Sequence, residues 1–305
     1  MRILVTGVTG QVGAALVSRL AGQRGAGQPV VTAGREVLDL SQSEGIADRL
    51  DELAPDLIVN PAAYTAVDRA EDEKERAFRV NAEAPGVIAR WAAARGVPFV
   101  HFSTDYVFDG SGERPWREDD RTGPLSAYGA SKLAGEDAVR AARGAHLIVR
   151  TSWVYAAKGA NFLRTIARLA GERRELRIVA DQFGAPTSAG VIADALAGIV
   201  APGGAALPQR FSAADGLVNV AAAGETSWHG FAMAIVGGLK GRGVPLAVEN
   251  VVPIRTEDYP TKARRPANSR LDLDRLNRVF GIETPNWDAA LAVELDRLAA
   301  EFHKA

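Results

Sequence analysis

Two side chains four residues apart can do acid–base chemistry. They are Tyr128 and Lys132, in Ser126-Ala-Tyr128-Gly-Ala-Ser-Lys132-Leu-Ala-Gly-Glu136. The composition and period of this stretch suit a helix, which sets positions i and i+4 on one face. A phenol ordinarily titrates near pH ~10. An ammonium roughly 4–5 Å away, at an effective dielectric near ~20, favours the phenolate by about 3–4 kcal/mol. That is roughly 2–3 pKa units, enough to make Tyr128 a general acid near neutrality. Tyr-x-x-x-Lys also occurs on ordinary solvated helix faces, so its meaning depends on what stands upstream.

Three upstream features bear on it. The run Val97-Pro-Phe-Val-His-Phe-Ser103-Thr104-Asp105-Tyr106-Val107-Phe108 reads as a strand that closes on hydroxyl and acid groups. Ligands of open α/β sheets sit at strand carboxyl ends, and Thr104 can donate to a carbonyl oxygen there. Near the N-terminus, an apolar strand over residues 2–6 runs into Gly7-Val-Thr-Gly10-Gln11-Val12-Gly13 and then into a helical pattern. Strand, glycine turn and helix form the setting of a dinucleotide-binding turn, whose helix N–H groups face the pyrophosphate. The spacing here is G-x-x-G-x-x-G. The third feature is Arg35, after the second strand (Pro29-Val-Val-Thr-Ala-Gly34-Arg35). NAD sites usually carry an acid at this place; a guanidinium suits the 2′-phosphate of NADP. Asp39-Leu40 either flanks the adenine or leads into a helix capped by Ser41.

The elements that must position these groups alternate along the chain. Further apolar strands are expected at Asp56–Asn60, His146–Tyr155 and Leu176–Ala180, with another at Val218. Helices are expected at Ala77–Ala94 (interrupted near Pro85 and carrying the polar Asn81), Ala160–Ala170, Ser188–Val200 with Ser188 as its cap, Thr226–Leu239 and Trp287–Glu301. Residues 109–125 read as an exposed loop and 201–210 as a linker. The basic segment 255–270, with Lys262-Ala-Arg264-Arg265-Pro266, suits phosphate contacts or is a solvated charge cluster. The βα rhythm predicts an α/β protein, with a Rossmann-type doubly wound parallel sheet and a smaller, mostly C-terminal α/β substrate domain. The expected division is 1–151 and 152–305, with residues 174–200 returning to the first sheet.

The 305 residues are 47% hydrophobic and 24% charged, with a net charge of -1, ordinary values for a soluble globular protein. A balanced charge gives no sign of a nucleic-acid or membrane surface. No apolar run is long enough to span a bilayer, and no signal peptide is apparent. There is no cysteine, which excludes disulfides and thiol catalysis and fits a cytoplasmic protein. His101, His146, His229 and His303 are scattered without ligand spacing, so each reads as structural and no metal is expected.

Taken with Asn60-Pro-Ala-Ala-Tyr-Thr-Ala-Val-Asp68, Arg150-Thr-Ser-Trp153-Val-Tyr155, Asp181-Gln-Phe-Gly-Ala-Pro-Thr187 and Arg265-Pro-x-x-Ser269, these motifs resemble the extended short-chain dehydrogenase/reductase family. The likeness runs from residue 1 to about 300, and within the family it points to reductases of nucleotide-linked 4-keto-6-deoxy sugars. The resemblance implies hydride delivery from NADPH, or from NADH, to C4 of the sugar. It makes Tyr128 the proton donor, Lys132 its electrostatic partner and ribose anchor, and Thr104 the group on the keto oxygen. Gly7, Gly10, Gln11, Val12 and Gly13 would hold the pyrophosphate. Asp39 and Leu40 would lie by the adenine, and Ala62, Ala63 and Thr65 would line the cofactor. Asp105, Tyr106, Trp153, Gln182 and Arg265 would contact the nucleotide sugar. Some members form Mg²⁺-bridged dimers through glutamates near the first helix. Here that helix carries Ala14-Ala15 and no acid, so a monomer or weak homodimer is expected. The rival readings are a reductase of another nucleotide sugar, a non-catalytic regulatory subunit, and an NADP sensor.

Overall fold

The computed structural model describes residues 1–22 and 30–302. Pro29, the expected start of the second strand, and His303 lie outside the described residues.

Five short strands build most of one parallel sheet: β1 (Ile3–Thr6), β2 (Val30–Ala33), β3 (Leu57–Asn60), β4 (Phe99–Thr104) and β5 (His146–Thr151). A sixth strand, Leu217–Asn219, joins at the β5 edge, giving the order Leu217–Asn219, β5, β4, β3, β1, β2. Every residue of β1 and β3 is buried, which is why both read as unbroken apolar runs. Successive side chains point to opposite faces. Ile3, Val5, Val59, Val100 and Val149 therefore pack on one side, against α1 (Gln11–Gly22) and the helix Ala189–Val200. Leu4, Ile58, Phe99 and Ile148 pack on the other, against α2 (Ile46–Leu53), and against α4 (Ala84–Arg95) and α5 (Ala127–Ala141), which follow the short α3 (Lys74–Phe78).

A second core gathers Tyr155, Leu163, Ile166, Leu176, Phe231, Ile235, Leu291 and Leu295. It lies between the helices Phe162–Glu172, Trp228–Lys240 and Trp287–Phe302 and a two-stranded parallel pair, Glu175–Val179 with Asn250–Ile254. Residues 174–200 thus meet the large sheet through the helix Ala189–Val200 alone. Their strand pairs elsewhere, and the sheet takes Leu217–Asn219 instead. Ser188 caps its helix by accepting from the Val191 N–H.

Three local expectations need correction. Ser41 caps nothing: its N–H and hydroxyl both bond Asp39 Oδ1, and α2 starts five residues later behind Gly45. The aspartate side chain closes a tighter turn than a helix start allows. Residues 201–210 are not all linker, since a helix begins at Leu207 and buries Leu207 and Phe211. The loop 109–125 is pinned rather than free. Trp116 stacks on Phe108 with ring centres 4.6 Å apart, and buried Glu118 accepts from the Asn219 N–H at 2.9 Å.

The helix interrupted near Pro85 is continuous with α3, through one wide π turn at Arg79–Glu83. Proline has no N–H for the carbonyl four residues back, so the Asn81 carbonyl is freed and the turn widens. Gly135 of α5 packs against that carbonyl so closely that a Cβ would sit 2.0 Å from it.

Candidate active site

One cavity of about 1220 Å³ opens along the carboxyl ends of the sheet strands. Single-ligand sites typically hold about 300–1,000 Å³, so this one has room for two ligands side by side. Its lining includes Gly7, Gly10, Gln11, Val12 and Gly13; Arg35, Asp39 and Leu40; Ala62, Ala63 and Thr65; and Thr104, Asp105, Tyr106, Tyr128, Lys132 and Trp153. Residues scattered through the first half of the sequence thus line one cavity.

The glycine turn is built for close approach. Gly7 has φ 56°, a left-handed conformation, and a Cβ on it would lie 2.7 Å from the Ala62 Cα. A Cβ on Gly13 would lie 2.2 Å from the Gly7 carbonyl oxygen, so strand and helix can meet only without side chains. The turn leads into the N-terminus of α1, whose unpaired N–H groups and positive end suit a pyrophosphate. NADP fits these donors: a side-chain-free cradle, a helix N-terminus, and Arg35 on the rim. Arg35 now holds Asp39 (Nε to Oδ2, 3.2 Å). Burial pushes the Asp39 carboxyl up, but hydrogen bonds from Ser41 and Arg35 outweigh it and hold its pKa below the ordinary value. The wall at Ala62–Thr65 is fixed from behind. Asn81 accepts from the Tyr64 N–H at 2.8 Å, donates to the Tyr64 carbonyl at 3.0 Å, and donates to the Ser131 hydroxyl at 2.9 Å.

Tyr128 and Lys132 share the inner face of α5, which Ser126 caps by accepting from the Gly129 N–H. The Tyr106 ring stands edge-on to Tyr128, with centres 5.5 Å apart at 77°. Burial first, and then the Asp105 charge, push the Tyr128 phenol above its ordinary pKa; a hydrogen bond with Thr104 pulls the other way. The expected drop of this phenol toward neutrality is therefore not found. Loss of hydration to the phenolate is the largest influence on it, and Lys132 directs its Nζ to His101 Nε2 at 3.4 Å. Burial brings Lys132 itself down to about 8, against an opposing pull from Glu136. Burial raises Asp105 to about 6, opposed by hydrogen bonds from Ser269 and Thr104. Thr104 donates to Asp105 Oδ1 at 3.0 Å.

Trp153 also lines the cavity, in a left-handed conformation (φ 48°), a strain that non-glycine residues adopt mostly where function fixes them. Its indole stacks on Trp228 with centres 3.6 Å apart and an angle of 11°. Gly184 passes behind it, where a Cβ would lie 2.7 Å from the ring.

Gln182 and Arg265 are not in the cavity lining. Gln182 is buried and donates to the Thr256 hydroxyl at 3.1 Å. Arg265 Nη2 bonds Asp68 at 3.0 Å, the Ala263 N–H bonds the same carboxylate, and Lys262 pairs with Asp72. The basic loop is thus drawn onto the acidic segment 68–72 of the first half.

The sequence reading leaves two working features without an assigned role. Asn81 stands out as a lone polar residue in an apolar helix beside a proline. The buried pair of Glu136 (α5) and Arg150 (β5), joined at 2.8 and 2.7 Å, is the other. Glu136 stands one helical turn beyond Lys132, and Arg150 is a charge inside an otherwise apolar strand. His146 and His229 each bond a backbone carbonyl. Among the described residues, no group of three or more His, Asp or Glu side chains is arranged to hold a metal, and no single helix is long and apolar enough to cross a membrane.

The family model for the RmlD substrate binding domain matches residues 1–300. A dTDP-4-dehydrorhamnose reductase of Burkholderia thailandensis is 50% identical over 299 residues, covering 96% of this chain and 97% of that protein. A crystal structure of a dTDP-4-dehydrorhamnose reductase from Clostridium acetobutylicum superposes with a TM-score of 0.87 at 34% identity, covering 98% of this chain and 99% of that one. The Bacillus anthracis enzyme of the same name, solved in complex with NADP, superposes with a TM-score of 0.84 at 31% identity, covering 98% and 99%. The chain therefore belongs to the dTDP-4-dehydrorhamnose reductase family.

Proposed function

We propose that the chain reduces the C4 keto group of dTDP-4-dehydro-L-rhamnose to the alcohol, giving dTDP-L-rhamnose, with NADPH as reductant. The observation that carries this reading is the placement of Tyr128, Thr104 and Lys132 in one cavity with the side-chain-free glycine turn. When bound, NADPH supplies the hydride that becomes the new C4–H bond. Tyr128 gives its proton to the oxygen as the C=O π bond breaks, so the ketone gains one hydride and one proton. A phenol held protonated by its surroundings is in the form this step needs. Lys132 supplies positive charge to the phenolate left behind, and solvent then restores the phenol. Thr104 holds the keto oxygen once its hydroxyl turns from Asp105.

On this reading residues 1–151 hold the cofactor and 152–305 mainly the nucleotide sugar. Trp153, Asp105 and Tyr106 would face the sugar, with Gln182 and Arg265 toward the nucleotide. Arg265 reaches a diphosphate only by leaving Asp68. The dissolved nucleotide sugar is the partner proposed, in the cytoplasm. The test is NADPH oxidation with dTDP-4-dehydro-L-rhamnose. Binding of NADPH without turnover would favour a sensor or a regulatory subunit.

Cofactor choice can be read separately. Arg35→Ala is expected to raise the NADPH Kd by about 10–100-fold, the worth of a charged hydrogen bond, with a small change for NADH. Isothermal titration with both cofactors checks this. Equal losses would remove Arg35 from the 2′-phosphate.

A further inference from the structure

The sheet carries one polar row that the proposed reaction leaves without a task. Asn60 and His101 are register partners, and Val5 pairs with Val59, which sets Thr6 beside Asn60. All three are buried, with His101 and Asn60 at 0% exposure. The Thr6 hydroxyl donates to Asn60 Oδ1 at 2.5 Å, the Asn60 amide nitrogen lies 3.2 Å from His101 Nδ1, and His101 Nε2 lies 3.4 Å from Lys132 Nζ. The row two steps away, Leu4, Ile58 and Phe99, is wholly apolar. An apolar row is the cheaper way to fill a sheet core, since buried polar groups lose water and must find partners. This polar row begins one residue before Gly7 of the dinucleotide turn and ends on Lys132.

We propose that His101 is a positioning residue that holds the Lys132 Nζ in place, through a buried hydrogen-bond chain anchored at Thr6 beside the dinucleotide turn. The geometry stands by itself; the catalytic consequence rests on the reductase reading of Lys132.

The chain has a direction, and the charge on Lys132 sets it. An ammonium only donates, so it needs a bare Nε2. The imidazole proton then sits on Nδ1, and the Asn60 amide turns over from the arrangement seen, presenting Oδ1 to His101 and its nitrogen to the Thr6 hydroxyl oxygen. A neutral amine can accept, which suits a proton on Nε2 and the Asn60 amide nitrogen facing a bare Nδ1. His101 is neutral in both states, because burial and then the Lys132 charge push its pKa well below the usual histidine value. The other titratable groups around Lys132 are Tyr128 and Glu136 on its own helix, Arg150 of β5 holding Glu136, and Asp105 after β4. From β1 and β3 come only Thr6 and Asn60, which do not titrate.

Imidazole ¹⁵N NMR of cofactor-free wild-type protein tests the link without any assay. From about pH 6 to about pH 10, His101 is expected to pass from the Nδ1–H to the Nε2–H tautomer as Lys132 loses its proton, without showing an imidazolium. In Lys132→Met the passage disappears. A tautomer that stays constant in wild type overturns the proposal.

Two variants add a kinetic reading. His101→Gln places an amide oxygen where Nε2 was, whereas His101→Asn reaches only Asn60. The reaction needs the ammonium, so kcat falls as pH rises through the Lys132 pKa. Without its acceptor that pKa drops, and in His101→Asn the alkaline fall moves down by about one pH unit. In His101→Gln it stays near the wild-type position. Equal pH profiles with equal loss of kcat in both variants would leave His101 as packing and overturn the proposal. If no variant and no wild type turns over, the reductase reading fails, while the tautomer measurement still decides the His101–Lys132 link.

Discussion

Replacing Tyr128 by Phe is expected to lower kcat by about 10²–10⁴-fold, the usual worth of a positioned proton donor. The NADPH Kd should hardly change. The substitution removes one oxygen and keeps the ring, so the edge contact with Tyr106 at 5.5 Å survives. The glycine turn that would receive the pyrophosphate presents backbone to the cavity and does not depend on the hydroxyl. Transient kinetics of hydride transfer beside equilibrium cofactor binding separates the two quantities. An unaltered rate would take Tyr128 out of the proton transfer. Equal losses of binding and rate would mean that the ring, and not its hydroxyl, had been disturbed.

Arg150→Met is expected to cost about 3 kcal/mol of stability, near the low end for breaking a buried ion pair. Glu136 is completely buried, and Arg150 meets both its oxygens. Arg150 also donates to the Glu118 carbonyl at 3.1 Å and lies over the Phe108 ring at 4.9 Å. Removing it leaves Glu136 with the partly exposed Arg140, at 2.8 Å, as its remaining ion pair among the described residues. For a chain this long the loss corresponds to a fall of about 5 °C in Tm. Because Glu136 shares α5 with Tyr128 and Lys132, kcat should fall as well. The double variant Arg150→Met, Glu136→Leu should regain most of the stability, since an apolar pair needs no desolvated charge. Calorimetry on both variants decides the point: a loss below about 1 kcal/mol in the single variant would mean that the pair contributes little.

What the sequence made legible was local. The strand, glycine turn and helix near the N-terminus are specified by neighbours within about 20 residues, and the i, i+4 rule places Tyr128 and Lys132 on one face. What stayed hidden depends on distant partners. The strand expected at Leu176–Ala180 lies in the segment 174–200 expected to return to the large sheet, yet Glu175–Val179 pairs with Asn250–Ile254, some seventy positions on. His101 looked like a stray histidine because strand register, which sets it beside Asn60, is not written in either strand alone. Arg265 advertised a phosphate site, but composition could not reveal that Asp68 would claim it first. The i, i+4 spacing predicts an acidified Tyr128 phenol from the cation alone, whereas the hydration that burial removes dominates here.

The parallel indoles of Trp153 and Trp228 have an optical consequence. Two such chromophores at van der Waals separation couple their electronic transitions, so the folded chain should carry a near-ultraviolet dichroism signal tied to this one pair. Trp153 also forms part of the cavity wall. Anything that enters and tilts its ring by a few degrees would change that signal, giving an intrinsic, label-free reporter of occupancy that Trp228→Phe would silence.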